Sequence, residues 1–216
     1  SFGYRPRDIR NGLSMPPRMT MTNIINALKR PHWALNTLIH GQPSFEILKP
    51  YMPKNLNLNQ LARFMDTTFC GRLNEVKIKR IRDLWKGKLV LKGAESIHDV
   101  EKAYQLGLDG VIISNHGGRQ VDVGQATIDS LKTIAPLYKN KLTVMMDSGI
   151  RGGADVARVM AHGADFSFLG RTFMYGVSAL GEKGGDHTIS MLKAQLTQVM
   201  EQMSCGIVSD LQNKLV

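Results

Sequence analysis

Four short apolar runs, at residues 89–91, 111–113, 142–146 and 166–169, each close on glycine or a polar residue. Helical patterns follow at 96–106, 127–138 and 154–161, with a last one near 188–203. Continuous apolar strands that alternate with helices demand a parallel sheet covered on its faces. Ser96, with Asp99 three residues on, supplies a capping box for the first of these helices. The runs also belong to a repeat. Gly107-Leu108-Asp109-Gly110 leads into one strand and Gly163-Ala164-Asp165-Phe166 into another, 56 residues later. In both, a helix ends at glycine, turns through an aspartate and enters a strand. Two βα units per 56 residues means about 28 per unit, and eight such units make the roughly 250 residues of a (β/α)8 TIM barrel. Four units fit here, so the α/β fold expected is about the second half of a barrel, in units five to eight over residues 76–216.

The first half reads differently. Residues 11–75 carry Pro16, Pro17, Pro31, Pro43 and Pro53 among apolar stretches at 24–28 and 33–39. The pattern predicts a long, partly helical loop or lid after strand 4, and long loops in compact domains are usually functional. Charge divides along the same line. Up to Lys92 there are 17 basic and 5 acidic residues; from Gly93 onward there are 11 basic and 13 acidic. A basic half beside a near-neutral one calls for an anionic partner. A single-strand nucleic-acid platform is poorly supported, because only 14 of the 216 residues are Phe, Tyr or Trp. An anionic membrane surface fits better, with apolar faces among basic residues; those faces suit packing on the barrel equally well. No run of 18 apolar residues predicts a membrane-spanning helix, and no signal-peptide pattern follows Ser1. Cys70 and Cys205 stand alone, so neither a disulfide framework nor a metal site is expected. The expected location is cytoplasmic, with peripheral attachment to the inner face of the membrane as an extension.

The chemistry-bearing residues sit just after the strands, the catalytic face of a barrel. Ser114-Asn115-His116-Gly117-Gly118-Arg119 follows the second run. A His with an Arg three residues on suits proton abstraction from a substrate anchored by its anion. The same residues also suit a plain Gly-rich turn with a surface Arg. Asp147-Ser148-Gly149-Ile150-Arg151 follows the third run and Gly170-Arg171 the fourth. Gly-rich turns and helix starts beside Arg make anion sites, and the last two turns of a barrel commonly take phosphate. Lys92 ends the first strand, where a side chain points toward a ligand.

SNHGGRQVD, DSGIRGGAD and LGR resemble the motifs of the FMN-dependent α-hydroxy acid dehydrogenases and oxidases. GYRPRDIRNGLSMPPRMT, from Gly3 to Thr20, is similar to the stretch after the fourth barrel strand in that family. The resemblance runs across residues 1–216 and is weakest between Thr22 and Asn74. It implies FMN as cofactor and oxidation of a small (S)-2-hydroxy acid, lactate- or mandelate-like, to the 2-oxo acid. It implies His116 as the catalytic base, with Arg119 and Arg5 on the substrate carboxylate. Lys92 and Ser114 would lie by the flavin ring, and Asp147, Ser148, Gly149, Ile150, Arg151, Gly170 and Arg171 would contact the ribityl chain and phosphate. An electron acceptor (quinone, cytochrome or oxygen) and a homo-oligomeric state are implied too. The family's first half-barrel, with an aspartate that pairs with the catalytic His, has no counterpart upstream of Arg5, so a fragment is expected. Two other readings are a different FMN- or phosphate-binding barrel, such as a flavin isomerase, and a non-catalytic membrane-associated piece.

Overall fold

The computed structural model describes residues 10, 20–41, 46–53, 56, 58–68, 73–121 and 123–214. The chain divides into two compact units, Ser1–Arg72 and Leu73–Val216. The first is helical where described: α1 (Met21–Leu28), α2 (Pro31–His40), a 3-10 turn (Glu46–Tyr51) and α3 (Leu58–Thr68). Thr20 caps α1 by accepting from the Asn23 N–H at 3.2 Å, and Pro31 opens α2, where its missing N–H costs nothing. Many apolar side chains of this unit stand in solvent, with Leu38 82% and Ile47 86% exposed, while Met65 of α3 is buried.

The second unit begins with α4 (Glu75–Leu84), capped by Asn74, which accepts from the Lys77 N–H. Then come β1 (Val90–Ala94), α5 (Ile97–Gln105), β2 (Gly110–Ile113), α6 (Thr127–Tyr138), β3 (Thr143–Met146), α7 (Gly153–Ala161), β4 (Phe166–Ser167), α8 (Arg171–Leu180) and α9 (Gly184–Gln202). The strands form one parallel sheet in the order β1-β2-β3-β4. The anticipated Ser96 cap is present: its hydroxyl accepts from the Asp99 N–H at 3.1 Å and donates to the Asp99 carboxylate. Helices α4 and α8 lie beyond the elements read from the sequence. β4 pairs over two residues only, and the rest of its apolar run passes into the turn at Gly170.

The side chains of one sheet face meet the helices. Val111, Ile113 and Val144 are fully buried against Val100, Leu131 and Ile134. Each such aliphatic side chain contributes about 1.5–3 kcal/mol. The opposite face carries Lys92, Ile112, Met145 and Phe166 in register across the four strands. There Phe166 and Phe168 contact each other, with ring centroids 5.1 Å apart, and both stay exposed. A smaller cluster of Ala157, Cys205 and Leu211 fastens α7 to α9 and the C-terminal turn. Gly153 permits that contact, because a Cβ there would come within 2.4 Å of the Leu196 nitrogen.

The repeated aspartates do the same job twice. Asp109 Oδ2 accepts from the Leu89 N–H at 2.9 Å while the Asp109 N–H donates to the Leu89 carbonyl. Asp165 Oδ2 accepts from the Val144 N–H at 2.8 Å, and the Asp165 N–H donates to the Val144 carbonyl. Each aspartate thus latches the start of its own strand to the strand before it. Lys88 donates to Asp109, the Leu89 N–H adds to it, and Arg82 lies beside both; together they outweigh partial burial and hold the carboxyl down at about 2.

Candidate functional site

At the other end of the sheet, the turns after β1, β2 and β3 are wired together by polar side chains. Lys92 leaves the end of β1 beside a bulge, where Gly93 takes φ +97° and the register slips between Lys92 and Ala94. Its ammonium donates to the Ser114 hydroxyl at 2.8 Å and pairs with the Asp147 carboxylate. Burial of Asp147 opposes its charge. Hydrogen bonds from Lys92, Ser114 and Ser148, with the Lys92 charge, outweigh that and hold its carboxyl below the usual range.

Ser148 links the next two turns. Its hydroxyl donates to Asp147 Oδ1 at 2.7 Å and accepts from the Gly117 N–H at 3.0 Å. Ser148 holds φ +76° to do so, a conformation that L residues seldom adopt. His116 is also left-handed, at φ +56°. It opens a 3-10 turn (His116–Gly118) capped by Asn115, whose Oδ1 accepts from the Gly118 N–H. The His116 N–H donates to Ser114 Oγ, and the imidazole lies over Gly93, where a Cβ would come within 2.8 Å of Cε1. Two left-handed non-glycine residues in facing turns mark stored backbone strain of the sort that gathers at functional sites. The imidazole and the Arg119 side chain face solvent.

The last two turns split into unlike halves. At the start of α7, the Arg151 and Gly152 N–H groups donate to Asp155 Oδ2 at 2.9 and 3.3 Å, so these amides are spent inside the protein. Helix α8 starts from Gly170 with no side-chain cap among the described residues, so its leading N–H groups and dipole stay open to an anion. Arg171, its first residue, donates one bond, to the Gly117 carbonyl at 2.8 Å, and keeps further donors. The donor set fits a phosphate monoester: an uncapped helix start, a glycine with open space where a Cβ would be, and a forked guanidinium. A cavity of about 380 Å³ opens beside it, bordered by Gly117, Ser148, Gly149, Ile150 and Arg171.

Of the residues singled out in the sequence, Lys92, Ser114, Asp147, Ser148 and His116 form one connected cluster, joined to Arg171 through Gly117. Gly149 and Ile150 border the cavity; Gly170 precedes the first residue of α8 without a side chain to cap it; the Arg151 side chain is exposed. Arg5 lies outside the described residues. Sequence reading overlooked Thr127, whose hydroxyl donates to the Asp147 carbonyl at 3.0 Å, and Thr172, which donates to the Arg151 carbonyl at 3.1 Å. It also overlooked Asp155, although an acid three residues into a helix after Gly152 is itself a sequence signal.

A family model described as FMN-dependent dehydrogenase matches residues 1–216. L-lactate dehydrogenase of Bartonella tribocorum (strain CIP 105476 / IBS 506) is 37% identical over 199 residues, which are 92% of this chain and 52% of that protein. (S)-Mandelate dehydrogenase of Pseudomonas putida is 34% identical over 212 residues, 97% of this chain and 52% of that protein. Among solved structures, monotopic membrane protein (S)-mandelate dehydrogenase superposes with a TM-score of 0.86 at 33% identity, covering 97% of this chain and 55% of that one. Mandelate oxidase with (S)-4-hydroxymandelic acid gives 0.64 at 29% identity, over 66% of this chain and 40% of that one. The chain spans about half the length of the curated relatives it matches. The four parallel βα units are part of a (β/α)8 barrel. With a match along all 216 residues, the chain belongs to the FMN-dependent dehydrogenase family.

Proposed function

We propose that the whole protein oxidises a small (S)-2-hydroxy acid of the lactate or mandelate kind to the 2-oxo acid. The observation that carries this is the convergence of His116, Lys92 and the open start of α8 on one end of the sheet. FMN, when bound, takes up the two electrons that leave the substrate. His116 removes a substrate proton; its turn is pinned at two successive amides, by Ser114 at the His116 N–H and by Ser148 at the Gly117 N–H. Arg119, one turn further on, holds the substrate carboxylate together with Arg5. Lys92 stands ready as a fixed positive charge beside the flavin ring, kept in place by Ser114 and Asp147. Arg171 and the α8 start hold the phosphate, with Gly149, Ile150 and the Arg151 side chain around it.

The first unit supports attachment to an anionic membrane surface. Leu28, Trp33, Leu38 and Ile47 are exposed on short helical elements, with Lys29 and Arg30 in the link between α1 and α2 and Lys49 in the 3-10 turn. Among the described residues no helix is long and apolar enough to cross a membrane.

The test of the reaction is bleaching of the flavin band of the full-length protein by a panel of 2-hydroxy acids under anaerobic conditions. Lactate or mandelate should bleach it. His116→Ala should keep its flavin and lose on the order of 10²-fold or more in reduction rate. Near-normal reduction by that variant would remove His116 from the chemistry.

A further inference from the structure

The turn that carries Arg151 does not hold itself up. Gly152, at the start of α7, has no side chain with which to cap the helix, and Asp155 accepts from the Arg151 and Gly152 amides. The next amide, that of Gly153, is buried and donates at 2.8 Å to Oε1 of Gln195, which projects from α9 and is 42 residues away in the chain. The same Oε1 fills the space beside Gly152, 3.0 Å from where a Cβ would stand. On the other side, the buried Thr172 hydroxyl donates to the Arg151 carbonyl at 3.1 Å. Thr172 is the second residue of α8, directly after Arg171. The Arg151–Gly153 backbone is therefore suspended between two helices, with one tether from the phosphate-side helix α8 and one from α9.

We propose that Gln195 and Thr172 are positioning residues for the cofactor phosphate: they fix the Arg151 turn relative to the open start of α8, so that both arginines meet one phosphate. Neither side chain needs to touch the cofactor. Gln195 supplies the acceptor that α7 lacks, which keeps the Gly153 amide from competing for the anion. Thr172 couples the two arginine-bearing turns directly. This inference rests on the reading of the α8 start and Arg171 as the phosphate site.

The experiment compares FMN with riboflavin, which lacks the phosphate, on the full-length protein stripped of flavin. In the parent protein FMN should bind far more tightly than riboflavin, and Arg171→Ala should erase most of that advantage. Gln195→Met keeps the side-chain volume but removes the acceptor; it should weaken FMN about tenfold and leave riboflavin unchanged. Gln195→Glu keeps an acceptor and should restore FMN affinity to within about twofold of the parent. Thr172→Val, of nearly equal shape, should act in the same direction as Gln195→Met and serves if that variant does not fold. If the parent protein shows no preference for FMN, the phosphate site itself is wrongly placed. If the preference exists and Arg171→Ala removes it, but Gln195→Met and Thr172→Val keep it, the positioning role is overturned. Equal weakening of FMN and riboflavin in these variants overturns it as well, because it points to general packing.

Discussion

At the scale of single residues, Ser148 shows how cost and use are joined. A left-handed L residue gives up roughly 1–2 kcal/mol against glycine, and Ser148 accepts that cost while its hydroxyl bridges Asp147 and the Gly117 amide. The two contributions separate by substitution. Ser148→Ala keeps the strain and loses the bridge; Ser148→Gly relieves the strain and loses the bridge. Thermal melts should therefore rank glycine above alanine by about 1 kcal/mol, while both reduce the rate of flavin reduction because the His116 turn is freed. Alanine melting above glycine would show that the backbone there is not strained. Sequence could mark Ser148 as part of a Gly-rich turn but not its backbone sign, since that sign follows from a partner 31 residues away.

At the scale of elements, the strands and the helices α5, α6, α7 and α9 were legible. Apolar runs locate β2 and β3 to within one residue at either end and stop three residues short of the end of β1, and the Ser96 cap was read directly. Helix α8 was not, for a physical reason. It starts from a glycine with no side-chain cap, has no acid in its first turn and contains Gly176, so it carries none of the usual start signals. The missing cap is what leaves its end open to an anion. Gln195 and Thr172 were invisible for the opposite reason: their partners are backbone groups, which have no sequence signature. The repeated Gly-x-Asp pattern was read as a turn, and its role as a strand latch emerged only with the hydrogen bonds. That latch has a pH signature. Asp109 titrates at about 2 in the fold, below its ordinary 3.8. A depressed carboxyl adds stability above the unfolded value and loses it as pH falls through the folded one. Asp109→Asn should thus melt lower than the parent at pH 7, and the gap should close between about pH 4 and pH 2. A gap that stays constant down to pH 2 would show that the Asp109 charge does not matter.

At the scale of the whole molecule, the charge division read from the sequence falls across unlike surfaces. The basic first half contains short helices with large apolar side chains in solvent, such as Leu38 and Ile47. Attachment to anionic lipid uses both features, and neither suffices alone. The full-length protein should co-sediment with vesicles that contain an anionic lipid and much less with zwitterionic ones, and added salt should weaken it. Leu38→Glu with Ile47→Glu should release it at every salt concentration. Sedimentation that ignores both lipid charge and these substitutions would refute a membrane role for this unit.

The paired aspartate latches lie at the amino ends of the strands, and the proposed chemistry lies at the carboxyl ends. Register is decided where the chain enters the sheet, and recognition where it leaves. Selection can therefore act on the two ends separately. A lineage is free to trade the residues that sort one substrate side chain from another without renegotiating how neighbouring strands align, and new specificities become reachable through small, individually viable steps.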